Sequence, residues 1–558
     1  MFYGIRGLII FLLSKKPNLN QLNLGFEKML EANGPYKVKL IIKKICEFEY
    51  CFAESVIPSK VIGKIEISDL LLFKAQRDTS RLLSKSRFSV VIADYFLHRN
   101  NLVYPLKKNW QNIFSENGIK VNKGLCTLLW RIYLFVAVIE SGAMYCKQAI
   151  SSLKVIKTRS NEKLLIETPF VGVYFYDIRT SNLPMNMSND QGKNLVNWYK
   201  KNVLHGKAMN VFHNCKSYVS SNIDSKYMSF TYNKNLFFQI SFFQEIKIFI
   251  WWLWFLLKNI VSIYRLIILL TISNEIIKVK KIERFGSKVG INKIVFNNSI
   301  GAIKPLWAVE LERNEICIDY CFYACYGEPS DLYGNLPLDG FWALSTWNNF
   351  YVVDKQQMVE LNEKTLCKSS TYKYESIPWW TDYSYEIPIS TKRSICLFDT
   401  ILSTEVYTLG TLNQFGWNKV ETAVEYLKIV LETAADLNLN VVYKLKRPRA
   451  KSNKTKEHLN EIDSLMKRYK SLVTQVDYRI SPERLILATD FTISKPVSTT
   501  ALIAKSLNKP SIYLDPTGMI KSTDQALRQI KILSDKNELK SFLSFPHSGI
   551  NIGEDNNE

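Results

Sequence analysis

From residue 292 onward the chain alternates short apolar runs with longer amphipathic stretches. N-K-I-V-F-N-N-S (292–299) predicts a short buried strand that ends in polar residues. I-K-P-L-W-A-V-E-L-E-R-N (303–314) predicts a helix, with Pro305 near its start and Asn314 at its end. E-I-C-I-D-Y-C-F-Y-A-C (315–325) predicts a second strand, so the three make a βαβ unit and imply parallel pairing. A Gly/Pro/Asp-rich loop follows at 327–345, then short aromatic strands within 349–390. A second series begins with R-S-I-C-L-F-D at 393–399. It predicts helix 419–437, strand 440–445, a basic loop, helix 456–470 and strand 485–490. A helix from about 499, strand 511–515 and a closing helix 523–545 complete it.

The fold class expected is therefore α/β, with two Rossmann-like domains facing a cleft. Residues 161–390 form the first and 391–558 the second. Residues 1–160 read as a mostly helical extension with no placeable chemistry. Within 161–390, K-L-L-I-E-T-P-F-V-G-V-Y-F-Y (163–176) predicts strand and 191–202 a helix.

Between them and the βαβ unit, I-F-I-W-W-L-W-F-L-L-K-N-I-V-S-I-Y-R-L-I-I-L-L-T-I (248–272) is long enough to span a bilayer, but Lys258 and Arg265 interrupt it. Read as one helix, it places Lys247, Lys258 and Arg265 within roughly 20° of each other at about 100° per residue. A narrow basic stripe beside Trp251, Trp252 and Trp254 suits a helix lying in an anionic membrane interface; a buried core helix or a true span are the other readings. The run C-T-L-L-W-R-I-Y-L-F-V-A (126–137) reads as core. The apolar start of the chain lacks a cleavage site, so no secretory signal is expected.

Composition adds two things. With 73 Lys+Arg against 51 Asp+Glu, the net charge of +22 favours anionic partners, although a lysine-rich genome gives the same balance. Ten scattered cysteines without a C-x-x-C pair argue against a zinc ribbon and suit a reducing cytoplasm. Cys317, Cys321 and Cys325 read as small buried thiols, and no metal site or cofactor is expected.

Three strand-exit segments carry candidate chemistry. In I-S-K-P-V-S-T-T-A-L-I-A-K-S-L (493–507), Ser498, Thr499 and Thr500 open a helix. Free N–H groups, hydroxyls and the positive helix end suit a phosphate there, and plain N-capping is the alternative. In Y-K-L-K-R-P-R-A-K (443–451), Lys444, Lys446 and Arg447 leave a parallel strand at the same rim, with a solvated basic loop as the alternative. In D-P-T-G (515–518), Asp515 and Thr517 offer groups to a nucleotide ribose, or simply make a turn.

The segment T-D-F-T-I-S-K-P-V-S-T-T-A-L-I-A-K-S-L-N-K-P-S-I-Y-L-D-P-T-G resembles the hallmark of the bacterial polysaccharide-biosynthesis PFTS-motif proteins. K-L-K-R resembles their K-x-K-R, and 294–314 their first βα unit. The resemblance runs over roughly 290–520, with echoes in S-N-L-P and N-W-Y-K-K. It departs at Val497, which replaces the Phe of P-F-T-S and removes any stacking role for that ring. The family is similar to GT-B glycosyltransferases acting on capsule or O-antigen, which implies donor binding in the second domain.

Under that implication, a nucleotide-sugar donor would be held without metal by Ser498–Thr500, Lys446 and Arg447. A carboxylate would deprotonate a lipid-linked or polysaccharide acceptor, with Glu328, Asp399 and Glu405 as candidates. Glu310 is less suited because its helix packs. A peripheral site on the inner face of the cytoplasmic membrane follows. The alternatives are a non-catalytic nucleotide-sugar or polysaccharide-binding component of an assembly complex, or a nucleic-acid binder. The last lacks an aromatic-interleaved basic motif, so no nucleic acid is expected.

Overall fold

The structure, a computed structural model, describes most of residues 24–544. Outside the described residues lie 1–23, 84–85, 156–169, 179–181, 185–193, 216–227, 233–239, 286–289, 298–302, 335–339, 368–369, 375–385, 388–391, 399–414, 446–455, 545–558 and a few single positions.

The amino-terminal part is helical as expected: α1 Gly34–Ser55, α2 Ile67–Leu82, α3 Ser86–His98, α4 Lys108–Glu116 and the long α5 Lys123–Val155. A small antiparallel hairpin, β1 Lys60–Ile62 and β2 Ile65–Glu66, interrupts them. Gly63 turns this hairpin at φ +54° against Glu310, whose carboxylate accepts from the Lys64 amide at 2.8 Å. A Cβ at 63 would come within 2.7 Å of that carboxylate, so the close approach requires glycine.

The next unit is a seven-stranded parallel sheet: β3 Val171–Tyr176, β4 Met209–His213, β5 Met228–Tyr232, β6 Lys293–Phe296, β7 Cys317–Cys321, β8 Asn349–Val352 and β9 Thr371–Tyr374. Helices α6 Leu195–Asn202, α7 Phe242–Lys258, α8 Ile263–Thr271, α9 Ser273–Phe285, α10 Leu306–Arg313 and α11 Lys355–Lys364 accompany it. Its order, β5-β4-β3-β6-β7-β8-β9, is doubly wound: the first strand lies inside, and the chain winds outward on both sides. One apolar core joins alternate residues of these strands to α7–α10, and a second lies against α6. In that second core the Tyr199 hydroxyl of α6 donates to Asp319 of β7, and burial beside that carboxylate drives the phenol's pKa far up.

The final unit is a six-stranded parallel sheet: β10 Ser394–Phe398, β11 Asn440–Lys444, β12 Val473–Val476, β13 Phe491–Ser494, β14 Ser511–Leu514 and β15 Ile532–Leu533. Helices α12 Val420–Asp436, α13 Lys456–Arg468, α14 Pro482–Leu487, α15 Thr499–Ser506 and α16 Lys536–Ser544 cover it. Its order, β12-β11-β10-β13-β14-β15, repeats the same winding.

Three expectations are corrected. Residues 485–490 are not a strand: Ser481 caps α14 by accepting from the Arg484 amide, Pro482 opens it, and the strand follows at 491–494. A four-residue apolar run does not distinguish helix from strand, and the start signal decides. The closing helix begins only at Lys536, because a 3-10 turn at Gln525–Leu527 and strand β15 occupy its predicted first half. The apolar segment 248–272 is two helices rather than one. Asn259 folds its amide onto the Phe255 carbonyl at 2.7 Å, and Ser262 caps α8 by accepting from the Arg265 amide. Lys258 and Arg265 therefore sit on different helices, and the single basic stripe does not exist.

Candidate functional site

In a doubly wound sheet the strand-exit loops separate where the winding changes direction, and a crevice opens at the carboxyl ends there. In the second sheet that point lies between β10 and β13. The exit of β13 is Lys495-Pro496-Val497-Ser498, leading straight into α15. The Ser/Thr turn thus stands at the switch point.

Its local build differs from a simple cap. Ser498 is the N-cap residue of α15, yet its side chain makes no capping bond. Its hydroxyl pairs with Thr500 Oγ1 at 3.0 Å, and Thr500 pairs with Ser494 Oγ at 2.8 Å. The amides of the first turn have no intrahelical partner and no side-chain cap, so the positive helix end and half-buried hydroxyls converge on one spot. Val497 holds φ +57°, a conformation costly for a β-branched residue, in a turn shaped by Pro496. Its side chain packs on the core of the second sheet.

A cation that the sequence reading passed over stands beside the turn. Lys495 Nζ lies 5.0 Å from the ring of Trp417, which is buried in the segment following β10. Its signal was only its place next to the motif. Lys446 and Arg447 lie outside the described residues. Lys444 is buried, and its ammonium donates to the carbonyls of Tyr478 (2.8 Å) and Leu445 (3.3 Å). It ties β11 to the loop after β12, so the expected phosphate contact is corrected: main-chain carbonyls engage this ammonium.

Asp515 is likewise corrected. It is fully buried and accepts from Trp417 Nε1, from the Thr517 amide and hydroxyl, and from the Ile520 amide at 2.6–3.2 Å. Those four donors use up the carboxylate, and Thr517 Oγ1 is spent on it and on the Met519 amide. D-P-T-G is a turn lock that holds Trp417 rather than a ribose contact.

The carboxyl ends of the two sheets meet. Gly327, after β7, sits so close to the second unit that a Cβ there would lie 2.9 Å from Arg528 Nη1 and 3.2 Å from Val497 Cγ1. Arg528 reaches Asp354 (2.7 Å), which caps α11, and Glu360 (3.4 Å). The Ser330 amide donates to Asp524 at 2.7 Å. Burial raises the pKa of the Glu360 carboxyl, against the pull of Lys364 and Arg528.

Of the expected bases, Asp399 and Glu405 lie outside the described residues. Glu328 is adjacent to the Gly327 contact and holds Lys39 of α1 at 2.9 Å. Glu310 is buried on α10, facing the β1–β2 hairpin. The structure adds Asp177, directly after β3. It is exposed, in the left-handed region at φ +58°, and stands at the switch point of the first sheet. At about 4.8 Å per strand, the β3 exit is roughly 10 Å along the rim from the β7 exit. Asn182 of S-N-L-P bonds Asn297 after β6 at 3.1 Å and closes the same rim.

His213 ends β4. Burial lowers its pKa to about 4, and its Nδ1 accepts from the Cys215 amide at 3.2 Å. Cys321 and Cys325 are buried free thiols, Cys317 is half-buried, and no group suited to a metal occurs among the described residues.

For the proposed membrane residues, Lys247, Trp254, Lys258 and Arg265 are exposed, and Lys258 lies 3.7 Å over the Trp254 ring. Trp251 is partly buried under Lys280. Trp252 is corrected: it is buried in the core cluster of the first unit, so it faces inward.

Among solved structures, the chain is similar to a sucrose-phosphate synthase from Thermosynechococcus elongatus (11% identity, 67% of this chain and 88% of that one, TM-score 0.34). It is also similar to a UDP-forming alpha,alpha-trehalose-phosphate synthase from Burkholderia vietnamiensis (7%, 67% and 89%, TM-score 0.35) and a glycosyltransferase from Rickettsia africae (9%, 67% and 89%, TM-score 0.34). Comparison with curated proteins gave no match. The family model for polysaccharide biosynthesis PFTS motif proteins matches residues 254–543, beginning inside α7 and ending in α16, wider than the 290–520 read from motifs. With both α/β units engaged and the motif turn at the switch point of the second, the chain belongs to the polysaccharide biosynthesis PFTS motif protein family.

Proposed function

We propose that the protein is a glycosyltransferase of cell-surface polysaccharide (capsule or O-antigen) biosynthesis that takes a sugar from a nucleotide-sugar donor. The observation that carries this is the uncapped start of α15 at the switch point of the second sheet, facing the exits of the first. A diphosphate seated there accepts the first-turn amides of α15 and the hydroxyls of Ser498 and Thr500. Lys495 adds charge, and Lys446 and Arg447 are the further cations of the proposed donor site. Such fixed donors stabilise the charge that develops on the leaving phosphate, so transfer proceeds without a metal.

The acceptor hydroxyl is deprotonated from the opposite rim. Asp177 serves there best, being exposed at the switch point of the first sheet; Glu328, Asp399 and Glu405 are the other carboxylates proposed for the role. The acceptor is a lipid-linked or polysaccharide chain, met by the protein peripherally on the inner face of the cytoplasmic membrane. The exposed side of α7, with Trp254 and Lys258, supports that placement.

The test is a panel of CMP, UDP and GDP with their sugars. One nucleotide should raise the melting temperature, and its sugar should be transferred in a labelled assay. Full transfer by a Ser498→Ala/Thr500→Val double variant would sink the assignment of the donor site. Nucleotide binding with no sugar transferred to any acceptor tested would favour a non-catalytic binding component, whereas turnover unaffected by Asp177→Asn, Glu328→Gln, Asp399→Asn or Glu405→Gln would rule these carboxylates out as the base.

A further inference from the structure

We infer that α5 and α7, with the start of α8, form one composite face that presses onto an anionic lipid surface without crossing it. This deepens the membrane part of the function proposed above and rests on it. The sequence alone marks only the α7–α8 segment; α5 reads there as core.

In the structure α5 is only half core. Leu125, Leu128, Phe135, Ile139 and Ile150 are 46–66% exposed. At about 100° per residue they share an arc of roughly 80°, so they line a single stripe. On α7, Ile250, Leu253, Trp254 and Leu257 are 46–65% exposed, and Ile263 at the start of α8 is 74% exposed. Tyr145 of α5 stacks on Phe249 of α7 with ring centroids 6.1 Å apart, which joins the two stripes. Isolated exposed apolar residues need no explanation, but two adjoining helices with matched stripes do.

Charge identifies the occupant. The three helices contain two carboxylates, and both are turned inward: Glu140 pairs with Arg81, and Glu245 with Lys281. Arg131 and Lys147 on α5, Lys247 and Lys258 on α7 and Arg265 on α8 are exposed. An apolar face whose outward charges are all positive complements anionic headgroups above acyl chains. A second copy of this face would bring cations against cations.

The attachment of α5 decides how the contact is made. Lys123–Lys147 is long and apolar enough to cross a bilayer. Its inner side, however, is fastened along its length: Tyr133 donates to Asp78 at 2.9 Å, Glu140 holds Arg81, and Ser141 bonds Ser273 at 3.2 Å. Crossing would strip these bonds and expose their polar partners to lipid. The helix therefore lies along the surface.

The full-length protein, without nucleotide, is floated with vesicles of phosphatidylcholine alone or mixed with phosphatidylglycerol. Binding is expected only to the mixed vesicles, weakening as salt rises. Phe135→Asp on α5 and Leu253→Asp on α7 should each weaken it roughly tenfold or more, since each puts a charge in place of an exposed apolar side chain that enters the lipid. Both variants should keep the melting temperature and the nucleotide shift of the parent, which separates loss of docking from loss of fold or of the donor site. Equal binding to both vesicles, unchanged affinity of Phe135→Asp, or a stable dimer that binds no vesicle would overturn the inference. Loss of the nucleotide shift in the parent protein would overturn the donor-site assignment while leaving the docking result to stand by itself.

Discussion

Arg528 Nε donates to Asp354 Oδ2 at 2.7 Å, and through this bond the last part of the second sheet grips the helix that follows β8 in the first. Arg528 is 6% exposed in its side chain, Glu360 is its second carboxylate, and its own backbone is left-handed at φ +51°. Removing the guanidinium leaves two carboxylates without their shared cation. Arg528→Ala should therefore cost about 3–5 kcal/mol, the scale for breaking a buried pair, and Arg528→Lys less. Thermal melting of the two variants checks this. An Ala variant as stable as the parent would show that the junction does not depend on the pair.

Gly327 tests the same junction from its other side. A methyl group there meets Arg528 and Val497 closer than ordinary contact allows, so Gly327→Ala should force the rims apart by a few tenths of an ångström. The donor binding proposed for the second unit should survive with an unchanged nucleotide-induced melting shift. Sugar transfer, which needs both rims, should fall by about tenfold or more. Equal loss of both would contradict the division of labour.

The hydroxyls of the α15 turn should matter for ligand and little for folding. A true N-cap serine contributes about 1 kcal/mol, but Ser498 makes no capping bond. Ser498→Ala is expected to change the melting temperature in free protein by less than a cap loss would. It should also weaken nucleotide binding by about tenfold to a hundredfold, the scale of one hydrogen bond to a charged group. Paired denaturation and calorimetric titration separate the two effects.

His213 sets an acid limit. Burial holds its folded pKa near 4, below the unfolded value of about 6.5. Between those values the unfolded chain binds the extra proton, so stability rises with pH across that window and is lost as pH falls through it. His213→Gln should flatten the slope of melting temperature against pH between 4 and 6.5. A slope unchanged by the substitution would assign it to other groups.

The sequence by itself determined the elements and their alternation. The helices at 306–313, 420–436 and 499–506 and the strands at 293–296, 394–398 and 440–444 follow from local periodicity, caps and Pro or Asn punctuation, which are properties of neighbouring residues. The family resemblance came from the same neighbourhood, the run through Pro496-Val497-Ser498-Thr499. What failed locally were short runs: 485–490 reads as a strand but its first residues end a helix, and the Asn259/Ser262 break hides inside a continuous apolar pattern.

Only the tertiary structure decided which polar groups are free to act. Asp515 and Lys444 look like ligand contacts in sequence, yet their partners, Trp417 and the Tyr478 carbonyl, come from elsewhere in the chain. Asp177 looks like nothing in sequence and gains its place from strand order alone. The physical reason is the same in each case. Whether a charge serves the fold or a ligand depends on what burial brings to it, and burial is set by contacts between residues far apart in the chain.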